Sequence, residues 1–112
     1  MATATKGVDE LFRVLSDPTR RGVVHRLAKG PASVSELAAP FAMALPSFVQ
    51  HLGVLEASGV VRSKKTGRVR TYRLVPRRLQ IAENWLAEQR SMWEQRLDRF
   101  EDYVNQLDGS EQ

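Results

Sequence analysis

Apolar residues recur every three or four positions through most of this chain, and proline and glycine interrupt the runs. This spacing places them on one face of a helix. Residues 60–74 differ, because β-branched residues flank Thr66-Gly67 and predict a β-hairpin. The pattern predicts helices over residues 8–15, 18–28, 45–57 and 76–107, with a short third helix starting after Ser33.

Capping signals mark where the helices begin. Asp17 precedes Pro18 and can cap the second helix, because proline is tolerated in a first turn. Ser33 and Glu36 have the spacing of a capping box at the start of the third helix. Only a short turn, residues 41–45, separates that helix from the next, which predicts a helix-turn-helix arrangement.

The helix over residues 45–57 has two contrasting faces. Phe48, Leu52 and Leu55 form one apolar stripe. The opposite face has short, uncharged side chains and includes Gln50 and Gly53. Such a face lets the backbone approach a flat partner and suits a DNA major groove. The predicted DNA-binding residues of this recognition helix are Leu45, Pro46, Ser47, Val49, Gln50 and His51.

Individual roles follow from side-chain chemistry. Gln50 can pair bidentately with adenine, Ser47 can contact a base edge or a phosphate, and Val49 can contact a thymine methyl group. His51 lies nearer the edge of the core, so two interpretations stay open for it. It is either a packed imidazole that donates to a backbone or phosphate oxygen, or a direct DNA contact.

The charge is unevenly distributed. The formal net charge is +4, yet residues 60–80 contain eight basic and no acidic side chains, and the balance reverses from Glu83 onward. A basic hairpin beside a recognition helix is typical of a wing that contacts backbone phosphate or a minor groove. The predicted wing contacts are Arg62, Lys64, Lys65, Arg68 and Arg70.

The last predicted helix has an apolar stripe too wide and too long for a small domain to bury. A second copy of the chain is the expected partner for this stripe. The predicted dimer-interface residues are Leu11 on the first helix and Trp85, Leu86, Trp93, Phe100 and Val104 on the last.

Length and composition limit the remaining possibilities. With 112 residues the chain predicts one domain over residues 8–107, a flexible arm at 1–7 and a flexible tail at 108–112. It has no cysteine, no apolar run long enough for a membrane span and no export signal, so a cytoplasmic location is expected. No phosphate-binding loop or nucleophile–base arrangement is present, so neither an enzyme nor a cofactor is predicted.

Several fixed-spacing motifs together resemble the ArsR family of prokaryotic winged helix-turn-helix repressors. They are Asp17-Pro18-Thr19-Arg20, then Ser-x-x-Glu-Leu-Ala from Ser33, then Leu-Pro-Ser-x-x-x-His-Leu-x-x-Leu-x-x-x-Gly-x-Val from Leu45, followed by the basic hairpin. The resemblance covers residues 11–104. It implies a mainly α fold with a small β-hairpin, dimerisation through the terminal helices, operator reading by helix 45–57, and repression that an effector relieves.

The chain departs from the metal-sensing members of that family. Those members carry Cys-x-Cys on the third helix, or Asp, His and Glu ligands on the last helix. Here there is no cysteine, and the last helix has no histidine. No metal site is therefore predicted, and the expected signal is a small organic ligand, another protein or none. Ala44 also stands where a capping serine or threonine is usual.

Two functional classes remain on the sequence alone. The first is a homodimeric repressor that binds an inverted repeat in double-stranded DNA. The second is a winged-helix module for protein–protein interaction, which accounts for the fold but leaves the basic wing without a role. Binding to unrelated duplexes at low salt discriminates between them.

Overall fold

The computed structural model describes the backbone of residues 2–110 and the side chains of residues 7–108. The described residues form five helices and three strands. Their bounds are α1 Ala2–Leu15, α2 Pro18–Leu27, β1 Ala32–Ser33, α3 Val34–Ala38, α4 Leu45–Ala57, β2 Val61–Thr66, β3 Val69–Leu74 and α5 Pro76–Ser110.

The predicted caps begin α2 and α3. Asp17 accepts a hydrogen bond from the backbone N–H of Arg20 at 3.0 Å, so it is the N-cap of α2. At α3 the reciprocal capping box is complete, because Ser33 Oγ accepts from Glu36 N at 3.2 Å and Glu36 Oε1 accepts from Ser33 N at 3.1 Å. These local interactions fix where the helix-turn-helix segment starts.

The sheet has three antiparallel strands in the order β1-β3-β2. The hairpin reverses at Gly67, which has φ +63°, as its Thr66-Gly67 sequence predicts. β1 was not predicted. Its two residues pair only with Tyr72 and Thr71 of β3, and such a short pairing leaves no alternating pattern in the sequence.

The core packs α4 against the other helices and the wing. Phe48, Leu52 and Leu55 are fully buried, together with residues of α1, α2, α3 and the sheet. In the turn before α4, the ring of Phe41 lies over Gly22 of α2 and 5.4 Å from the ring of Phe48, measured between centroids. This contact holds the recognition helix against α2.

Three predictions need correction, two of them about helix bounds and one about a residue of the dimer interface. α1 starts at Ala2 instead of residue 8, and no proline interrupts residues 2–8. α5 continues to Ser110, beyond the predicted end at residue 107. Leu11, predicted at the dimer interface, is buried in the core at 2% exposure, so it stabilises the monomer. Met1, Glu111 and Gln112 lie outside the described residues.

The chain divides into two compact units, one ending at Ala82 and the other beginning at Glu83. The first contains the core and the sheet. The second is the remainder of α5. Across the helices that are described, none is both long enough and apolar enough to cross a membrane.

Candidate nucleic-acid interface

The exposed face of α4 contains the residues predicted to read DNA. Leu45 is 55% exposed and Val49 is 45% exposed. Pro46, Ser47 and Gln50 are also exposed, opposite the buried stripe of the same helix. At Gly53 an added Cβ would meet no atom within 4 Å, so this part of the face is open. The face therefore has uncharged side chains and, at Gly53, room for a surface to approach the backbone.

The start of α4 is uncapped. Ala44 has the extended backbone of an N-cap residue but provides no side-chain hydrogen bond, as its sequence predicts. The first-turn N–H groups of a helix have no partner within that helix, and Ala44 does not provide one. An oxygen of a bound phosphate is a suitable acceptor for such groups.

His51 is half-buried beside two residues of the α2 start. Its Nδ1 lies 3.2 Å from Arg20 Nη1 and 3.8 Å from Asp17 Oδ2. Because a guanidinium only donates, the hydrogen bond requires Nδ1 to accept and leaves the proton on Nε2. Nδ1 therefore has a partner within the protein, as expected for a packed imidazole, and Nε2 carries the N–H donor.

Arg20 connects three helices and was not singled out as a functional residue. Its Nε donates to Val14 O at 2.6 Å and its Nη2 to Arg13 O at 3.4 Å, while Nη1 contacts His51. The hydrogen bond from Arg20 N to the Asp17 carboxylate, together with the nearby charge of Arg20, lowers the pKa of Asp17. The Asp-Pro-Thr-Arg motif was the available sequence signal.

The wing displays its basic residues on exposed strands. Arg62 lies opposite Arg73 and Lys65 opposite Arg70 in the antiparallel register, and all four are exposed. Like charges in directly opposite positions repel, so this arrangement favours a polyanionic partner. Lys64 and Arg68 are exposed nearer the hairpin tip, whereas Arg62 lies at the base of β2.

A chain of polar contacts fixes the wing to the recognition helix. Arg70 Nη1 donates to Ser63 Oγ at 2.8 Å, and Ser63 Oγ donates to Glu56 Oε2 of α4 at 2.6 Å. Arg70 therefore has a hydrogen-bond partner within the protein, which the sequence did not indicate.

On the same strand pair, burial raises the pKa of Tyr72, whose side chain packs into the core.

The α5 residues predicted at the dimer interface are all exposed in the single chain. Their exposed fractions are Trp85 41%, Leu86 52%, Trp93 59%, Phe100 64% and Val104 37%. Such large apolar side chains are rarely exposed together on a monomer. For metals, no group of three or more His, Cys, Asp or Glu side chains comes together among the described residues.

Comparison with known proteins finds helix-turn-helix transcriptional regulators. Residues 15–64 match the model of a helix-turn-helix domain. The chain is 41% identical over 68 residues to the HTH-type transcriptional regulator Rv2034 of Mycobacterium tuberculosis, covering 61% of this chain and 64% of that protein. It is 30% identical over 79 residues to the transcriptional repressor SdpR of Bacillus subtilis, covering 70% of this chain and 88% of the repressor.

A solved structure extends the similarity over most of the chain. The crystal structure of the ArsR family transcriptional regulator RHA00566 matches with a TM-score of 0.75 and 50% identity, covering 84% of this chain and 94% of that one. The match to Rv2034 is more limited, since it spans less than two thirds of the length of that protein.

Proposed function

Because the chain belongs to the ArsR family of winged helix-turn-helix transcriptional regulators and is a DNA-binding regulator, we propose that it is a homodimeric repressor that binds an inverted-repeat operator. The observation that carries the proposal is the exposed, uncharged face of α4 beside an exposed basic hairpin. A relative, SdpR, is named a transcriptional repressor.

The residues of the recognition helix have different proposed roles. Gln50 reads an adenine through two hydrogen bonds, and Val49 contacts a thymine methyl group. Ser47 and the uncapped first turn contact phosphate. His51, held through Nδ1 by Arg20, donates from Nε2 to a phosphate oxygen.

The wing adds affinity without sequence selectivity. Lys64, Lys65 and Arg68 neutralise phosphates, and each phosphate contact steepens the dependence of affinity on salt. Arg70 contributes mainly by holding the wing against α4 through Ser63 and Glu56. The protein-interaction alternative gives these exposed charges no function.

Dimerisation follows from the exposed stripe of α5. Trp93 and Phe100 are more than half exposed in the single chain. Burying such side chains stabilises by about 1.5–3 kcal/mol each. A symmetric pairing of two chains presents two recognition helices, and two-fold symmetry requires an inverted repeat with half-sites about 34–36 Å apart, or a multiple of that spacing.

Footprinting tests the proposal. Fragments that the purified protein selects from the source genome are footprinted, and two-fold symmetric protection is expected. Protection of a single asymmetric half-site by a monomer would refute the proposed assembly. Binding to unrelated duplexes with the same affinity as to selected fragments would refute sequence-specific reading.

A pair of variants separates base reading from phosphate contact. Gln50→Ala should alter the preference at one base-pair position by about 1–3 kcal/mol. Arg68→Ala should weaken binding to all sequences and lower the salt slope by about one unit. If both variants lose affinity with the same sequence selectivity, the assigned roles are wrong.

A further inference from the structure

A cavity of about 520 Å³ lies in the first unit, where α4 ends and α5 begins. Part of its wall is formed by Ser58 and Gly59, which directly follow α4. The remaining wall combines three apolar residues, Ala57, Val75 and Ile81, with three arginines, Arg62, Arg77 and Arg78.

The charge in this cavity is not balanced by the protein. No acidic residue lines it, and no carboxylate of the described residues forms an ion pair with Arg62, Arg77 or Arg78. Three like charges around one space repel one another. An anion that enters the cavity relieves this repulsion, and guanidinium groups bind carboxylate or phosphate through paired N–H donors.

The backbone at Gly59 sets the position of one of these arginines. Gly59 has φ +83°, and an added Cβ would lie 3.3 Å from Arg78 Nε. Arg78 Nε donates to Ser58 O at 2.8 Å, which directs the guanidinium along the end of α4. Arg78 is therefore fixed by one nitrogen, and its other N–H groups have no hydrogen bond to a described residue.

The cavity lies at the C-terminal end of α4 and the base of the wing, away from the start of α4 and from the wing tip. Helix rise places Ser58 about 17 Å along α4 from Ser47. Strand rise places Arg62 about 13 Å from the wing tip at Thr66. Both separations exceed the screening length of about 8 Å at physiological salt. Ala57, Val75 and Ile81 offer a phosphate no polar partner, which favours an anion with an apolar part over an operator phosphate.

We propose that this cavity binds a small organic anion, a carboxylate with a short aliphatic part. The guanidinium groups hold the carboxylate, and Ala57, Val75 and Ile81 contact the aliphatic part. The cavity is a half-open cleft, and its volume of about 520 Å³ leaves room for a small molecule.

The anion has a regulatory consequence, which rests on the proposed function as an operator-binding repressor. It contacts both the end of the recognition helix and Arg62 at the base of the wing. Drawing Arg62 and Arg78 toward one ligand changes how the wing sits beside α4 and removes positive charge. We expect operator affinity to fall about fivefold, and linkage requires anion affinity to fall by the same factor on DNA.

The binding test uses the full chain without DNA. Glutarate, hexanoate and inorganic phosphate are titrated at constant ionic strength, and amide shifts are followed by NMR. Glutarate or hexanoate should saturate one site per chain with a Kd of about 1 mM or lower, with the largest shifts near Gly59 and Arg62. Arg77→Ala should weaken this binding about tenfold. Arg68→Ala removes the same charge outside the cavity and should leave it unchanged.

The outcomes separate the site from its effect. No saturation by either organic anion, or equal losses from Arg77→Ala and Arg68→Ala, would overturn the site. Phosphate binding as tightly as glutarate would overturn the role of the apolar wall. Saturable glutarate binding with unchanged operator affinity would overturn the regulatory role. Failure to bind any operator would count against the proposed function and not against the anion site.

Discussion

Gly53 gives the sharpest test of how the recognition helix meets DNA. It lies inside α4, where glycine destabilises a helix by about 0.5–1 kcal/mol relative to alanine. An added Cβ would contact nothing within 4 Å. Gly53→Ala should therefore raise the free energy of unfolding by about that amount, and the melting temperature by a few degrees.

The same methyl group should harm DNA binding. If the open face of α4 enters the groove, a Cβ at Gly53 prevents the closest approach of the backbone. We expect a loss of about 1–3 kcal/mol, comparable to one mismatched base pair and equal to about 5- to 150-fold in Kd. Thermal denaturation at fixed protein concentration and fluorescence anisotropy on a labelled operator measure the two effects.

Gly22 provides the matched control for stability. It also lies inside a helix, but a Cβ there would be 2.8 Å from Cζ of Phe41 and 3.2 Å from Cε1. Phe41 cannot move freely, because its ring packs against Phe48. Overpacking costs about 1–3 kcal/mol, which exceeds the gain in helix propensity, so Gly22→Ala should lower the melting temperature.

Two results would refute this reasoning. If Gly53→Ala lowers stability, the space around Gly53 is not open in solution. If Gly53→Ala binds the operator as tightly as the unaltered chain, the backbone of α4 does not approach DNA closely at this position.

Three further predictions concern single contacts. Arg20→Ala should lower the free energy of unfolding by about 2 kcal/mol in urea titrations, because the hydrogen bond to Val14 O and the contact with His51 are lost. If Arg20→Lys restores full stability, the several N–H donors of the guanidinium are not needed. Asp17→Ala should cost about 1 kcal/mol. Because folding lowers the pKa of Asp17, its stabilisation is complete above pH 3.8 and disappears as pH falls through the lowered value; a difference in melting temperature that persists below that range would argue against the cap. Trp93→Glu should halve the mass measured by sedimentation at low micromolar concentration, and an unchanged dimer would place the interface elsewhere.

The sequence by itself determined the order of the helices, the hairpin of the wing and the two faces of α4. Helix starts follow from side chains three residues away, as at Asp17 and Ser33, and the hairpin follows from Gly67 between β-branched runs. The buried stripe of α4 repeats with helical spacing, so its opposite face was known too. All these signals act within a few positions of the chain.

Only the tertiary structure decided which distant residues meet. Arg20 and His51 are 31 positions apart, and no local pattern relates them. The sequence predicts Leu11 at the dimer interface, whereas in the structure it is buried in the core. The cavity beside Arg78 exists because α4, β2 and α5 converge there, bringing together charges that lie on separate elements. Packing of several elements sets such juxtapositions, and periodicity along one element carries no information about them.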